Sequence, residues 1–273
     1  MSTSLVRALS RRLNDRFTHQ LVADDDALLV LFRMLADAEE NGEAQVFDAV
    51  ADRLGPKLAA LVRRHADDER RHIGLTRRAL RLLHDRPELR DGRANLVEVV
   101  DTHMGGMLRG EGTDAELGRA YLLLYALERR MVAQLTQLER GLQGRRPVLA
   151  AIVAEIRDDE LKHIRWCQVV AWELMGADEA SFRATRDEMV ALEARVYLGV
   201  TRQNLTALLD VGLRGMSFVE RGFWRLAAWT MGRLPSLPVP DPDGIIAART
   251  WEPPAARRPA HGSAWSMYAG QVS

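Results

Sequence analysis

The stretches HADDERRHIG, residues 65–74, and IRDDELKHIR, residues 156–165, write Asp-Asp-Glu-x-x-His-Ile twice in one chain. Glu-x-x-His puts both side chains on one helical face, because residues three apart are neighbours on a helix surface. Around the first copy, Leu58, Leu61, Val62, His65, Glu69, His72, Thr76 and Leu80 step by three or four and form one stripe. Around the second, Leu149, Ile152, Ile156, Glu160, His163, Cys167, Val170 and Leu174 do the same. Both motifs therefore interrupt apolar faces of the kind a helix turns toward a core. Ionised carboxylates at such positions cost several kcal/mol unless they are paired or metal-bound.

Proline and glycine set the helix limits. Before residue 235 the only prolines are Pro56, Pro87 and Pro147, and the stretches between them are rich in Ala, Leu, Arg and Glu. Gly55-Pro56 and Gly144 to Pro147 each close one helix and open the next, with proline in the first turn. Helices are predicted at 24–53, 57–85, 114–140 and 147–175. The first two are joined tightly, as are the last two, whereas 86–113 is a long link with its own apolar pattern, NLVEVVDTHMGGML. Two hairpins joined by one long crossover predict an all-α four-helix bundle rather than an up-and-down one.

The bundle accounts for residues 24–176, after an N-terminal helix or arm at 1–23. Residues 177–234 are expected to add packing helices. Within them FVERGFWRLAAWTMGRL, 218–234, reads as a helix that caps the bundle or joins two protomers, ahead of an interfacial membrane helix. From Pro235 to residue 273 the proline-rich composition predicts an irregular tail.

The two remaining bundle helices repeat the anomaly. Leu117, Tyr121, Leu124, Glu128, Met131, Leu135 and Leu138 form a core stripe with one acid at its centre. In the first helix Arg33, Asp37, Asn41, Ala44, Asp48 and Asp52 trace a solvent face, opposite Leu28, Phe32, Leu35, Glu39, Gly42, Val46 and Val50. Glu39 is the expected inward acid, and Glu43, one turn on, is the alternative. Glu69 follows Pro56 by 13 residues (69 − 56), and Glu160 follows Pro147 by 13 (160 − 147), so both motifs lie at similar depth. Glu39 precedes Glu69 by 30 residues and Glu128 precedes Glu160 by 32, separations that suit facing positions across a hairpin.

Glu39, Glu69, His72, Glu128, Glu160 and His163, converging in a dry bundle, make a site for two divalent metals. Carboxylate and imidazole donors suit iron or manganese, and no thiolate set for structural zinc exists. Asp68 and Asp159 are placed to accept the second ring N–H of a ligating histidine.

These residues resemble the ferritin-like di-iron carboxylate superfamily over about 24–176. DERRH at 68–72 matches its Asp-Glu-x-Arg-His pattern, and DELKH at 159–163 departs only at Lys162. The resemblance implies a ferritin-like bundle, two iron ions held by the six residues above, and Glu69 and Glu160 as bridges. It implies a dioxygen-activating oxygenase or oxidase of a small organic substrate, supplied with electrons by a ferredoxin or flavin reductase. An oxygenase of this kind is expected as a monomer or homodimer. A ferroxidase or iron-storage protein, with Fe(II) itself as substrate, is the rival, and a tRNA hydroxylase is a third class. The same ligands serve all of these chemistries, so the motif identifies the site more sharply than the reaction.

Four further residues carry open readings. His65, one turn before Glu69, is either a hydrogen-bonded core histidine or an extra ligand or proton donor; the ligand set is complete without it. Tyr125 is core or a redox residue, Cys167 is core filler or pocket lining, and His103 in the crossover has no fixed place. The overall charge balance, 38 basic against 38 acidic residues, disfavours a nucleic-acid partner. A single cysteine excludes an internal disulfide and fits a reducing compartment, and no apolar run reaches membrane-spanning length. The Arg- and Ser-rich opening reads as an ordinary amphipathic helix ahead of a transit peptide, so a cytoplasmic location is expected.

Overall fold

A computed structural model describes residues 15–40, 44–84, 96–211, 217–231, 236, 239–241 and 243–253. Every regular element among them is helical, with no strand. In chain order these are α1 (15–23), α2 (Asp25–Glu40), α3 (Ala44–Ala51), α4 (Pro56–Leu82), α5 (Leu96–His103), α6 (Asp114–Leu142), α7 (Pro147–Leu174), α8 (Glu179–Val211), α9 (Phe218–Met231) and α10 (Ile245–Arg249). The helix predicted over 24–53 stands as α2 and α3, with 41–43 between them outside the described residues.

Local chemistry sets the helix ends. Proline occupies the first turn of α4 and of α7, where its missing N–H costs nothing. Thr113 and Glu116 form a reciprocal capping box at the start of α6. Gly176, at φ 69°, ends α7, and the Gly176 and Ala177 N–H groups satisfy the carbonyls of Glu173 and Trp172.

Helix α7 runs antiparallel to α6: Gly118 meets Ala171 and Leu174, Glu128 meets His163, and Glu139 pairs with Arg157. It also runs antiparallel to α4, since His163 meets Asp68 while His72 meets Asp159. Helices α4 and α6 therefore point the same way. Arg53, just before α4, pairs with Asp114 at the start of α6 at 2.9 Å, so both helices begin at one end. The chain must return over the whole length of α4 between 83 and 113. At about 1.5 Å per residue that is roughly 40 Å, and α5 and the short turn Met107–Arg109 lie on this return.

Two apolar clusters occupy opposite ends of these helices. One gathers Val46 and Val50, Leu58 and Val62, Leu117 to Leu124, and Val170. The other gathers Leu28 and Phe32, Ala79, Leu135 to Leu142, and Leu149 to Ile156. Glu69 and Glu160 fall between them in sequence on α4 and α7, and Glu128 lies on α6 near their junction, ahead of Val132 and Ala133 of the first cluster. Helix α8, within the stretch expected to add packing helices, packs on α6. It does so through a buried ion pair, Arg130 Nε to Glu193 Oε1 at 2.8 Å, with the guanidinium 3.9 Å above the Tyr197 ring.

Two expectations need correction. Arg33, placed on the solvent face of the first helix, is buried. The tail from 235 is not wholly irregular, because α10 packs on α7 and Trp251 is buried edge-on against Trp172 and Phe182. Helix α9 turns only part of its apolar surface inward. Trp224 packs on Phe17, while Phe218, Val219, Phe223, Leu226 and Trp229 are exposed. No helix among the described residues is long and apolar enough to cross a membrane.

Candidate metal centre

Four helices deliver acids and histidines to one buried place. The side chains form two groups, His65, Glu69, Glu128 and His163 in one and Glu39, Glu69, His72 and Glu160 in the other. Within each group the candidate ligand atoms lie within 4.8 Å of one another. All six sequence-derived ligand candidates are thus brought together, and His65 joins them. Glu43 lies outside the described residues.

Glu69 belongs to both groups, and its two oxygens divide between them. Oε1 is 3.2 Å from His65 Nε2 and 3.2 Å from His163 Nδ1, while Oε2 is 3.4 Å from His72 Nδ1. Glu160 divides in the same manner, with Oε2 2.9 Å from His163 Nδ1 and Oε1 3.3 Å from His72 Nδ1. The other two glutamates serve one side each. Glu128 Oε1 is 3.3 Å from His65 Nε2 and 3.8 Å from His163 Nδ1, and Glu39 Oε2 is 3.7 Å from His72 Nδ1.

Behind this ring of donors stand the aspartates. His163 Nε2 is 3.4 Å from Asp68 Oδ2, and His72 Nε2 is 3.4 Å from Asp159 Oδ2. A carboxylate can only accept, so each imidazole presents Nε2–H to its aspartate and turns Nδ1 toward the glutamates. The guanidinium of Arg71 joins the two aspartates, pairing with Asp159 and lying 3.1 Å from Asp68, and Lys162 Nζ adds a 2.8 Å contact to Asp159.

The protonation pattern follows from this packing. Burial alone would raise Asp159, but His72, Lys162 and Arg71 hold its carboxyl far below the usual range. Burial opposes the charge on Glu69 too, yet His163, His65 and His72 outweigh it. Glu160 is held at about 2 against burial and the Glu69 charge, by contacts with Glu128, His163 and His72. Glu39 goes the other way, pushed well up by burial and then by the Glu69 charge. His72 and His163 are raised, because the surrounding carboxylates overcome their burial. His65 is instead lowered to about 4, by burial and by the neighbouring His163 charge, and is neutral at pH 7.

Each of the two groups could hold a metal ion. Glu39 Oε1, Glu69 Oε1, His65 Nδ1 and His72 Nδ1 are buried and make no hydrogen bond. For Glu69 Oε1 and His72 Nδ1 this holds despite the short separations, as expected of atoms aimed at a shared third partner.

Sequence reasoning ranked His65 as a core residue and missed its aromatic surroundings. Phe47 of α3 packs on His65 at 4.6 Å between ring centroids, His65 stacks on His163 at 3.8 Å, and Trp166 lies 5.3 Å from His163. Trp166 is three residues from His163, so helical spacing carried that signal. Tyr125 is buried beneath the Arg129 guanidinium, 5.3 Å from its ring centroid, and Cys167 is buried. His103 is exposed and bonded through Nδ1 to the Val99 carbonyl, 2.8 Å away. No protein-family model, curated protein or solved structure matches this chain.

Proposed function

We propose that this chain is a ferritin-like di-iron carboxylate protein that activates dioxygen to oxidise a small organic molecule. One observation carries the reading: Glu69 and Glu160 each direct one oxygen to His163 and the other to His72. Two carboxylates spanning the same two histidines, each side completed by a glutamate of its own, describe two adjacent metal positions with shared ligands. The shared orientation of α4 and α6, and the long return between them, support the ferritin-like connectivity.

When bound, two irons supply the redox chemistry on dioxygen, with manganese the alternative metal. The chain's own residues hold the arrangement around them. Asp68 and Asp159 fix the tautomer and orientation of His163 and His72, and Arg71 balances the charge of both aspartates. Phe47 and Trp166 keep the His65 and His163 rings dry. Transfer of one oxygen atom to substrate and one to water takes two electrons and two protons. The electrons come from an external ferredoxin- or flavin-type reductase and the protons from solvent.

Anaerobic loading with Fe(II), metal counting and then exposure to dioxygen test this. The expected result is two irons per chain and a transient visible absorbance, both lost in Glu69→Ala and Glu160→Ala. Continuous oxidation of many added Fe(II) ions, without a lasting intermediate, would replace the oxygenase reading with a ferroxidase. Absence of stoichiometric metal in a folded chain would remove the metal centre altogether.

A further inference from the structure

The two halves of the site differ in their donors at one position. Asp68, Glu69 and His72 recur as Asp159, Glu160 and His163 at a constant offset of 91 residues (160 − 69). The same offset carries His65 onto Ile156, which is fully buried in the apolar cluster. One half therefore has an imidazole where the other has hydrocarbon.

That difference falls directly on the donor sets. Each side has one glutamate of its own, Glu128 or Glu39, and each shares Glu69 and Glu160. On one side these carboxylates face His163 Nδ1 and His65 Nε2, and on the other only His72 Nδ1. The carboxylate complement is the same, so the sides differ by one neutral nitrogen donor.

His65 Nε2 points between Glu69 Oε1 and Glu128 Oε1, at 3.2 and 3.3 Å. No aspartate stands behind it as one does behind His72 and His163. The ring is held in that pose by Phe47 on one side and His163 on the other. Its position relative to Glu128 and Glu69 is that of a donor within the group, not of packing around it.

We propose that the two metal positions are inequivalent: the His65–Glu128–His163 position fills first, and the Glu39–His72 position fills second. This rests on the reading of the site as a two-metal centre. An added imidazole strengthens binding of ions that favour nitrogen, and Co(II) and Fe(II) exceed Mn(II) in that respect. The gap between the steps is accordingly wider for Co(II) than for Mn(II), and the second position is the one that discriminates less against Mn(II).

Calorimetric and visible-absorbance titration of the chelator-stripped full chain with Co(II), without oxygen, tests the order. Two one-ion steps are expected, separated by about tenfold or more in affinity, the scale on which ligand environment alters metal binding. His65→Ala should weaken the tight step to the level of the other, whereas Glu39→Gln should weaken only the second. Native mass spectrometry of the unmodified chain with one equivalent of Co(II) needs no variant. There the single-ion form should exceed the share that random filling of two equal positions produces. Two ions entering indistinguishably, or a folded His65→Ala chain with an unchanged tight step, would overturn the inequivalence and leave the two-metal centre standing. No stoichiometric Co(II) in the unmodified chain would overturn both.

Discussion

Asp68 orients His163, 95 residues further on and on another helix, rather than His72 on its own: the Asp68 Oδ2 to His163 Nε2 separation is 3.4 Å. Asp159 returns the contact to His72 at the same distance. Each Asp-Glu pair therefore contributes a glutamate to the centre and an aspartate to the other helix's histidine. Because α4 and α7 are antiparallel, the two contacts are related by an approximate two-fold and tie the helices together where the ligands lie. Arg71 breaks that symmetry, since it spans both aspartates while Lys162 contacts Asp159.

Removing one crossed contact should loosen the metal without unfolding the protein. Asp68→Asn and Asp159→Asn each keep the side-chain shape and remove the charge that holds an imidazole. Each is expected to lower metal affinity by about 10- to 100-fold, with helix content by circular dichroism unchanged. Competition against a chelator of known affinity measures it, and an unchanged affinity would show that the aspartates do not orient ligands.

Metal uptake should release protons. Without a metal, the carboxylates around His72 and His163 hold both imidazoles protonated well above their usual pKa, and burial pushes Glu39 up as well. Binding must displace the two imidazole protons, roughly two per chain at pH 7, measurable by calorimetry in buffers of different ionisation enthalpy. The sign for stability follows from linkage. A histidine raised in the folded state stabilises fully below about 6.5, its unfolded value, and loses that contribution as pH rises toward the folded pKa. The metal-free protein should therefore lose urea resistance as pH rises above about 6.5, and the metal-loaded protein should lose less.

The Arg130–Glu193 pair is another charged group deep in the protein, with side chains 2 % and 1 % exposed. Glu193→Ala strands a buried guanidinium and should cost about 3–5 kcal/mol. A double replacement by apolar residues of similar volume should cost far less, because no charge is then left unpaired. Urea unfolding of the single and double variants distinguishes these outcomes. A single variant no less stable than the double would show that water or another group takes over the pair.

Much of the site was legible in the sequence because helical periodicity is local. Glu69 with His72, and Glu160 with His163, share a face whatever surrounds them, and an acid at the centre of an apolar stripe marks Glu39 and Glu128 without reference to any neighbour. Pro56 and Pro147 opened α4 and α7 for an equally local reason, the absence of an N–H that the first turn does not use. Arg33 and Trp251 show where that logic stops. A charged residue opposite an apolar stripe reads as solvated, and a proline-rich tail reads as irregular, until another element packs over them.

The sequence by itself determined an all-helical chain and the chemical character of its buried face, since spacing of 3.6 residues per turn and proline geometry act within a few residues. Only the tertiary structure decided that Asp68 and Asp159 cross, that Glu69 and Glu160 divide their oxygens between two groups, and that His65 turns inward to one of them. Those facts depend on which helix lies opposite and in which direction it runs, and no short stretch of chain contains that information.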